Sequence, residues 1–224
     1  MHDDTTKFVD KILELAKPEE RTLNGRLYMT KPVHLVKDPE PQTLSCHTLT
    51  ALQDYLDANI DGLDLSDTLI HVASPVYVSI RQGLTLLTAQ RPHLLNASPA
   101  LPEQNNTVID TPWLEPKDFI PYALTHFVTS NELDNLLKFI SAMRCDNSGT
   151  VEDNGVTLKP YRTFYEVDQP ESIFVVRVRE GRGENKLPEI KLFQADGGKW
   201  ANQAILNIVE WLKDHLPEEV TIIG

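Results

Sequence analysis

Residues 158–179 read Leu158-Lys159-Pro160-Tyr161-Arg162-Thr163-Phe164-Tyr165-Glu166-Val167-Asp168-Gln169-Pro170-Glu171-Ser172-Ile173-Phe174-Val175-Val176-Arg177-Val178-Arg179. Two runs with a period of two flank a turn signal. Tyr165 and Val167 alternate with Phe164 and Glu166, and Phe174, Val176 and Val178 alternate with Ile173, Val175, Arg177 and Arg179. Between them, Asp168-Gln169-Pro170-Glu171 places Pro170 at position i+1 of a turn. The spacing predicts a β-hairpin in which Val167 pairs with Ser172. That register makes one face apolar through Tyr165, Val167, Phe174, Val176 and Val178. Arg162, Glu166, Arg177 and Arg179 then share the other face, and a one-residue slip would interchange the two.

Toward the C-terminus, Glu189–Ala195 reads as a further strand stopped by Asp196-Gly197-Gly198. Trp200, Ala204, Ile208 and Leu212 then recur at i, i+4 spacing in a helix from Lys199 to about His215, and Glu219–Ile223 is β-like. Trp200 is expected to anchor the core beneath the sheet, with the preceding turn capping its helix. Toward the N-terminus, Pro116 suits the first helical position of a segment ending near Phe127, early enough to tolerate Pro121. Thr129 and Glu132 form a capping box for a helix with Leu133, Leu136, Leu137 and Ile140 on one face.

Residues 98–112 are rich in Pro, Asn and Ser and read as a loop. Before them, Thr68–Ala73 and Val76–Arg81 form a predicted hairpin around Ser74-Pro75, with a third strand at His93–Ala97. Leu49, Leu52, Tyr55 and Leu56 mark a helix capped by Ser45 or Thr48, and Asp61–Asp67 reads as a solvated turn. Extended pieces at Arg26–Met29 and Val33–Val36 follow a helix over 5–16, built on Phe8, Val9, Ile12, Leu13 and Ala16 and ended by Pro18. The sum is an α+β chain: a mixed or antiparallel sheet with β-hairpins, packed by amphipathic helices. Its parts are 1–98, a loop at 99–112, and 113–224, either separate or sharing one continuous core.

The balance of 21 Lys and Arg against 33 Asp and Glu gives a net charge of −12. Affinity for nucleic acid comes chiefly from neutralising phosphates, so this composition argues against a general nucleic-acid binder. Charge is uneven, however. Residues 158–199 hold eight Lys/Arg and seven Asp/Glu, a net of +1 that leaves −13 elsewhere. Any anion site is therefore expected there, unless the segment is simply a charged hairpin in solvent. Cys46 and Cys145 form no CxxC pair or zinc spacing. The acidic opening Met1-His2-Asp3-Asp4 lacks an apolar signal core, so the sequons at Asn96 and Asn105 are read as accidental. With no apolar run near the ~20 residues of a membrane span, a cytoplasmic location is expected.

One part of the chain resembles a known family. Leu158 through Ser172, then Phe174 and Arg177, then Ala195-Asp196-Gly197-Gly198-Lys199-Trp200, are similar to the C-terminal signature of the YfdQ-like proteins. These are encoded by phages and prophages and classed as a domain of unknown function. The N-terminal half is similar in layout: a capped helix near residue 48, a hairpin at Ser74-Pro75 and a helix pair near 116–143. Family members usually carry a longer segment where Cys145–Thr157 stands here. The resemblance implies a phage or prophage origin and a bacterial-host cytoplasm, and brings no established activity.

No catalytic signature emerges from the residues. There is no HExxH, no phosphate-binding Gly-rich loop and no GxSxG, and the seven histidines are scattered singly. Asp146, Ser148, Thr150 and Glu152 imitate a calcium loop, but Val151 stands where its glycine belongs. Asp168 with Glu189-Ile190-Lys191 imitates the acid…acid-x-Lys set of Mg²⁺-dependent restriction-like nucleases. Against that, Glu115-Pro116-Lys117 is an equal match by chance, and Asp168 falls in a predicted turn.

The other use of the region is recognition. Arg162, Arg177 and Arg179 could converge with Tyr161 and Gln169 on a nucleotide or small anion, because guanidinium forks match such groups. Glu166 offers the alternative of an internal Arg–Glu network. The leading expectation is a non-enzymatic phage accessory protein, with no cofactor or metal, that binds a host or phage protein or self-assembles. An anion binder on the arginine cluster is second, and the nuclease third.

Overall fold

Thr68, Ile70 and Val72 are buried while Leu69 and His71 between them are half-buried, the alternation of a strand with one face on a core. This strand is an inner strand of the larger sheet. The computed structural model describes residues 7, 9–12, 14, 16–23, 26–29, 42–84, 90–101, 111–142, 154–181 and 187–224. Expectations at Phe8, Leu13, Val33–Val36, Asn105, Cys145, Asp146–Glu152 and most of the 99–112 loop lie outside the described residues.

Two compact units divide the chain, Met1–Glu40 and Pro41–Gly224. In the first, residues 7, 9–12, 14 and 16 are helical. Its β1 (Glu20–Leu23) pairs antiparallel with β2 (Arg26–Met29), Leu23 lying opposite Arg26.

The second unit is α+β, with a five-stranded mixed sheet and a three-stranded antiparallel one. The larger sheet contains β3 (Leu44–Cys46), β4 (Thr68–Ser74), β5 (Tyr77–Gln82), β6 (His93–Ala97) and β10 (Thr221–Ile223), in the order β10-β4-β5-β6-β3. The two outer strands run parallel to their neighbours and the inner pairs are antiparallel. Helix α1 (Leu49–Ala58) and the long helix α4 (Lys199–His215) cover it. Leu49, Leu52 and Leu56 of α1 and Ile208 and Leu212 of α4 are fully or nearly fully buried against Ile70, Val78 and Ile80. Each such side chain contributes about 1.5–3 kcal/mol through the water it sheds.

The smaller sheet runs β7 (Asn154–Leu158), β8 (Ser172–Arg179), β9 (Glu189–Gln194). One face packs on α2 (Pro116–His126) and α3 (Asn131–Ser141), through Phe119, Phe127, Leu133 and Ile140 against Phe174, Val176, Ile190 and Leu192. As expected, Pro116 begins α2, and the helix carries Pro121 in its second turn. Helix α3 starts one residue later than the capping-box reading: Ser130, not Thr129, is the N-cap, its hydroxyl accepting from the Leu133 N–H at 3.1 Å.

The 158–179 stretch departs from the expected hairpin. Strand β8 is present, but its partner is β7, with Leu158 opposite Ser172 and Val156 opposite Phe174. Phe164–Val167 is no strand and Val167 does not pair with Ser172. The reason is burial in two directions. Leu158 and Phe174 enter the core beneath α2 and α3, whereas Phe164 and Val167 enter the core of the larger sheet. Residues 159–171 therefore form the crossing between the two layers, and Tyr165, assigned to the apolar face, is 56% exposed.

Candidate functional site

The crossing segment is held by one buried side chain. Gln169, 5% exposed, accepts from the backbone N–H groups of Arg162 (3.2 Å) and Thr163 (3.3 Å) and donates to the carbonyl of Phe164 (2.8 Å). An irregular loop cannot satisfy its own backbone in a ladder, so the amide supplies partners that would otherwise be missing. The Thr163 hydroxyl donates to the Pro75 carbonyl at 2.6 Å, tying the loop to the β4–β5 turn. Glu166 reaches α1, where its carboxylate accepts from Leu49 (2.8 Å) and Thr50 (3.3 Å), the unsatisfied N–H groups of the first turn.

These anchors fix Arg162. The residue is 8% exposed, its Nη1 donates to Gln194 Oε1 at 2.8 Å, and its guanidinium lies 4.8 Å over the Trp200 ring. Gln194 in turn donates from Nε2 to Asp196 Oδ2 (2.8 Å) and to Ser172 Oγ (3.1 Å). Asp196 closes the network: Oδ2 also accepts from Ser172 Oγ (2.9 Å) and the Trp200 N–H (3.2 Å), and Oδ1 from the Gly198 N–H (3.1 Å). Gly198 and Gly197, with φ of 87° and 64°, make the left-handed turn that lets Asp196 cap α4 from below.

Charge follows from this wiring. Burial lowers the Arg162 guanidinium from its ordinary value, opposed by the nearby charges of Asp196 and Tyr122. Burial pushes the Asp196 carboxyl up, yet its hydrogen bonds from Gln194, Gly198, Ser172 and Trp200 outweigh this and hold it below 3.8. Tyr122 is raised by burial, with the Arg162 charge acting the other way.

Above Arg162 opens a cleft of ≈ 580 Å³. Its walls are the Ser74-Pro75-Val76 turn and residues 196–198, 200 and 201 at the head of α4, with Arg162 and Gln194 completing the lining. That volume is within the usual range for small-molecule sites. The Trp200 indole N–H, on a side chain 3% exposed, is buried with no hydrogen-bond partner among the described residues. The cleft thus combines a fixed guanidinium, a helix N-terminus and an aromatic wall, a set suited to an anion.

The sequence-selected residues do not all meet there. Tyr161, Arg162 and Gln169 share the crossing loop, and the Tyr161 ring packs 5.5 Å from that of Tyr165. Glu166 is taken up by α1 instead of an Arg–Glu face. Arg177 and Arg179 lie opposite Lys191 and Glu189 on the far face of the smaller sheet, away from buried Val176, Ile190 and Leu192. There Arg177 sits 4.8 Å over Phe193, while Arg179 sits 4.1 Å over Trp113 and pairs with Glu189 at 2.6 Å. The three arginines do not converge.

Nor does the acid…acid-x-Lys set assemble. Asp168 is bound by Lys159 at 3.2 Å, Glu189 by Arg179, and Lys191 lies over the Phe193 ring. Among the described residues no group of three or more His, Cys, Asp and Glu could hold a metal ion. No helix among them is long and apolar enough to cross a membrane. Gln194 and Ser74, which the sequence reading passed over, had no signal beyond lying at a strand end and next to a turn proline.

No family model matches the chain, and neither a curated protein nor a solved structure matches it.

Proposed function

We propose that the chain is a non-enzymatic binding protein of phage or prophage origin, and that it holds a small anionic ligand in the cleft floored by Arg162. One observation carries the ligand reading: Arg162, a residue only 8% exposed and fixed by Gln194 and Trp200, forms part of the lining of an open cleft of ≈ 580 Å³. Burying a cation costs several kcal/mol unless it is compensated. The Asp196 charge offsets part of that cost, and a ligand carboxylate or phosphate in the cleft would add a second favourable charge to the same guanidinium. The origin rests on the resemblance of 158–177 and 195–200 to the YfdQ-like proteins.

Thermal unfolding with a panel of small carboxylates and phosphates tests the reading. A ligand at 100 times its Kd adds about 2.7 kcal/mol and so raises Tm by roughly 5–10 °C. Arg162→Lys keeps the charge but loses the fork and should abolish the upshift. Val76→Trp, which fills the mouth without touching Arg162, should do the same. An upshift that survives both changes would place the ligand elsewhere.

A second reading is that the accessory protein works by binding a protein or by self-association. It is supported by large apolar side chains left exposed, among them Ile60 (74%), Leu206 (59%) and Leu124 (54%). Light scattering across a concentration series, showing a monomer throughout, would count against the self-association form.

A further inference from the structure

The cleft above Arg162 holds a second charge, of opposite sign. Asp196 lines it together with Arg162, and Gln194 stands between the two. The Gln194 amide accepts from Arg162 Nη1 through Oε1 and donates to Asp196 Oδ2 through Nε2, both at 2.8 Å. Guanidinium and carboxylate therefore lie at the two ends of one amide. The oxygens of Asp196 are used unequally. Oδ2 accepts from Gln194, Ser172 and the Trp200 N–H, whereas among the described residues Oδ1 accepts from the Gly198 N–H alone, at 3.1 Å. A carboxylate oxygen has two lone-pair positions, so Oδ1 keeps room for another donor. The rim beside it is open: a Cβ at Gly197 or Gly198 would meet no heavy atom of a non-adjacent residue within 4 Å.

Burial raises the Asp196 carboxyl, but its hydrogen bonds outweigh this and hold it below 3.8, so it is charged at neutral pH. A ligand bearing negative charge alone is attracted by Arg162 and repelled by Asp196. A cation next to the ligand's anionic group turns that repulsion into attraction. Much of the remaining lining is apolar, through Pro75, Val76 and Ala201.

Resting on the anion site at Arg162, we infer that the ligand is a zwitterion, an α-amino acid with an apolar side chain. Its carboxylate joins Asp196 as a second negative charge on the Arg162 guanidinium, and its ammonium donates to Asp196 Oδ1. Its side chain lies along Pro75, Val76 and Ala201. An α-amino acid carries both charges on one carbon, which suits a cation and an anion flanking a single amide. A phosphate or a simple carboxylate has no group for Asp196 and binds more weakly.

Isothermal titration calorimetry of the full chain tests this with L-leucine, with isocaproate, which lacks the ammonium, and with isoamylamine, which lacks the carboxylate. L-leucine is expected to bind at least about tenfold more tightly than isocaproate, with isoamylamine weaker than either. Asp196→Asn, its fold checked by circular dichroism, should bring L-leucine down to the affinity of isocaproate. Isocaproate itself should bind that variant as tightly as wild type or more so, because a repulsion is gone. A folded Asp196→Asn that weakens both ligands alike overturns the inference and makes the carboxylate a brace. Equal wild-type affinities for L-leucine and isocaproate overturn it as well, and leave the anion site at Arg162 standing. So does no heat from L-leucine at millimolar concentration, and the anion site falls too if isocaproate, citrate and phosphate are also silent.

Discussion

Replacing Gln169 by Leu removes one side chain's hydrogen bonds from the crossing loop and leaves its volume almost unchanged. In the native loop the amide serves the N–H groups of Arg162 and Thr163 and the carbonyl of Phe164, all buried. A buried group left without a partner costs about 1–3 kcal/mol. Three groups at the lower end of that range, set against about 1 kcal/mol gained by burying the more apolar leucine, give a net loss of about 2 kcal/mol. For a chain of this size that corresponds to a fall in Tm of roughly 4–8 °C. Urea unfolding should show a lower midpoint with an unchanged slope, because the surface exposed on unfolding is the same. Gln203→Leu, at an exposed position on α4, should stay within about 0.5 kcal/mol of wild type. Should Gln169→Leu also remain within that margin, the loop is not organised by this amide, and the argument for a pre-set Arg162 fails with it.

Three further outcomes are expected. Glu166→Ala should cost about 1–2 kcal/mol by uncovering the first turn of α1, with Glu166→Gln recovering most of it, measured by chemical denaturation. Asp196 has a folded pKa below its ordinary 3.8, so its contribution is fully present above about pH 4 and is lost as pH falls through the lowered value; Asp196→Asn should flatten that acid limb of stability. Tyr55, buried in part and hydrogen-bonded to Asp61 at 2.7 Å, is pushed up to about 12, so ultraviolet titration should show a late phenol that Asp61→Asn shifts earlier. The sign for Tyr55 is the reverse of Asp196: its contribution holds below pH 10 and disappears as pH rises through about 12.

Much of the fold was legible because its signals are local. Strands β4, β5 and β6 announce themselves by alternation around Ser74-Pro75, α2 by Pro116, and α4 by its i, i+4 apolar column after Asp196-Gly197-Gly198. Strand β1 gave no such signal, since all four of its residues are exposed, and β3 is only three residues long. The crossing loop misled for a more interesting reason. Phe164, Tyr165 and Val167 have strand-like spacing, but the partner that buries Phe164 and Val167 is a sheet formed by residues 44–97 and 221–223, with Thr163 bonded to Pro75 across 88 positions. Periodicity reports which side chains are buried together and is silent on which core receives them. The site suffered likewise: Arg162 and Gln169 stood out by type, while the separation of Arg177 and Arg179 from them is set by a strand pairing that only the full fold specifies.

The central claim is that Arg162, held in place before any ligand arrives, receives an anion in its cleft. Its most direct measure is the arginine side-chain Nε–H spectrum of ¹⁵N-labelled protein, titrated with citrate and, separately, with inorganic phosphate. The account expects the Arg162 resonance to move saturably with one of them while those of Arg177 and Arg179 stay in place. If Arg162 is unmoved by either anion, or if all three arginines drift together without saturating, the cleft is bracing alone and the claim is wrong.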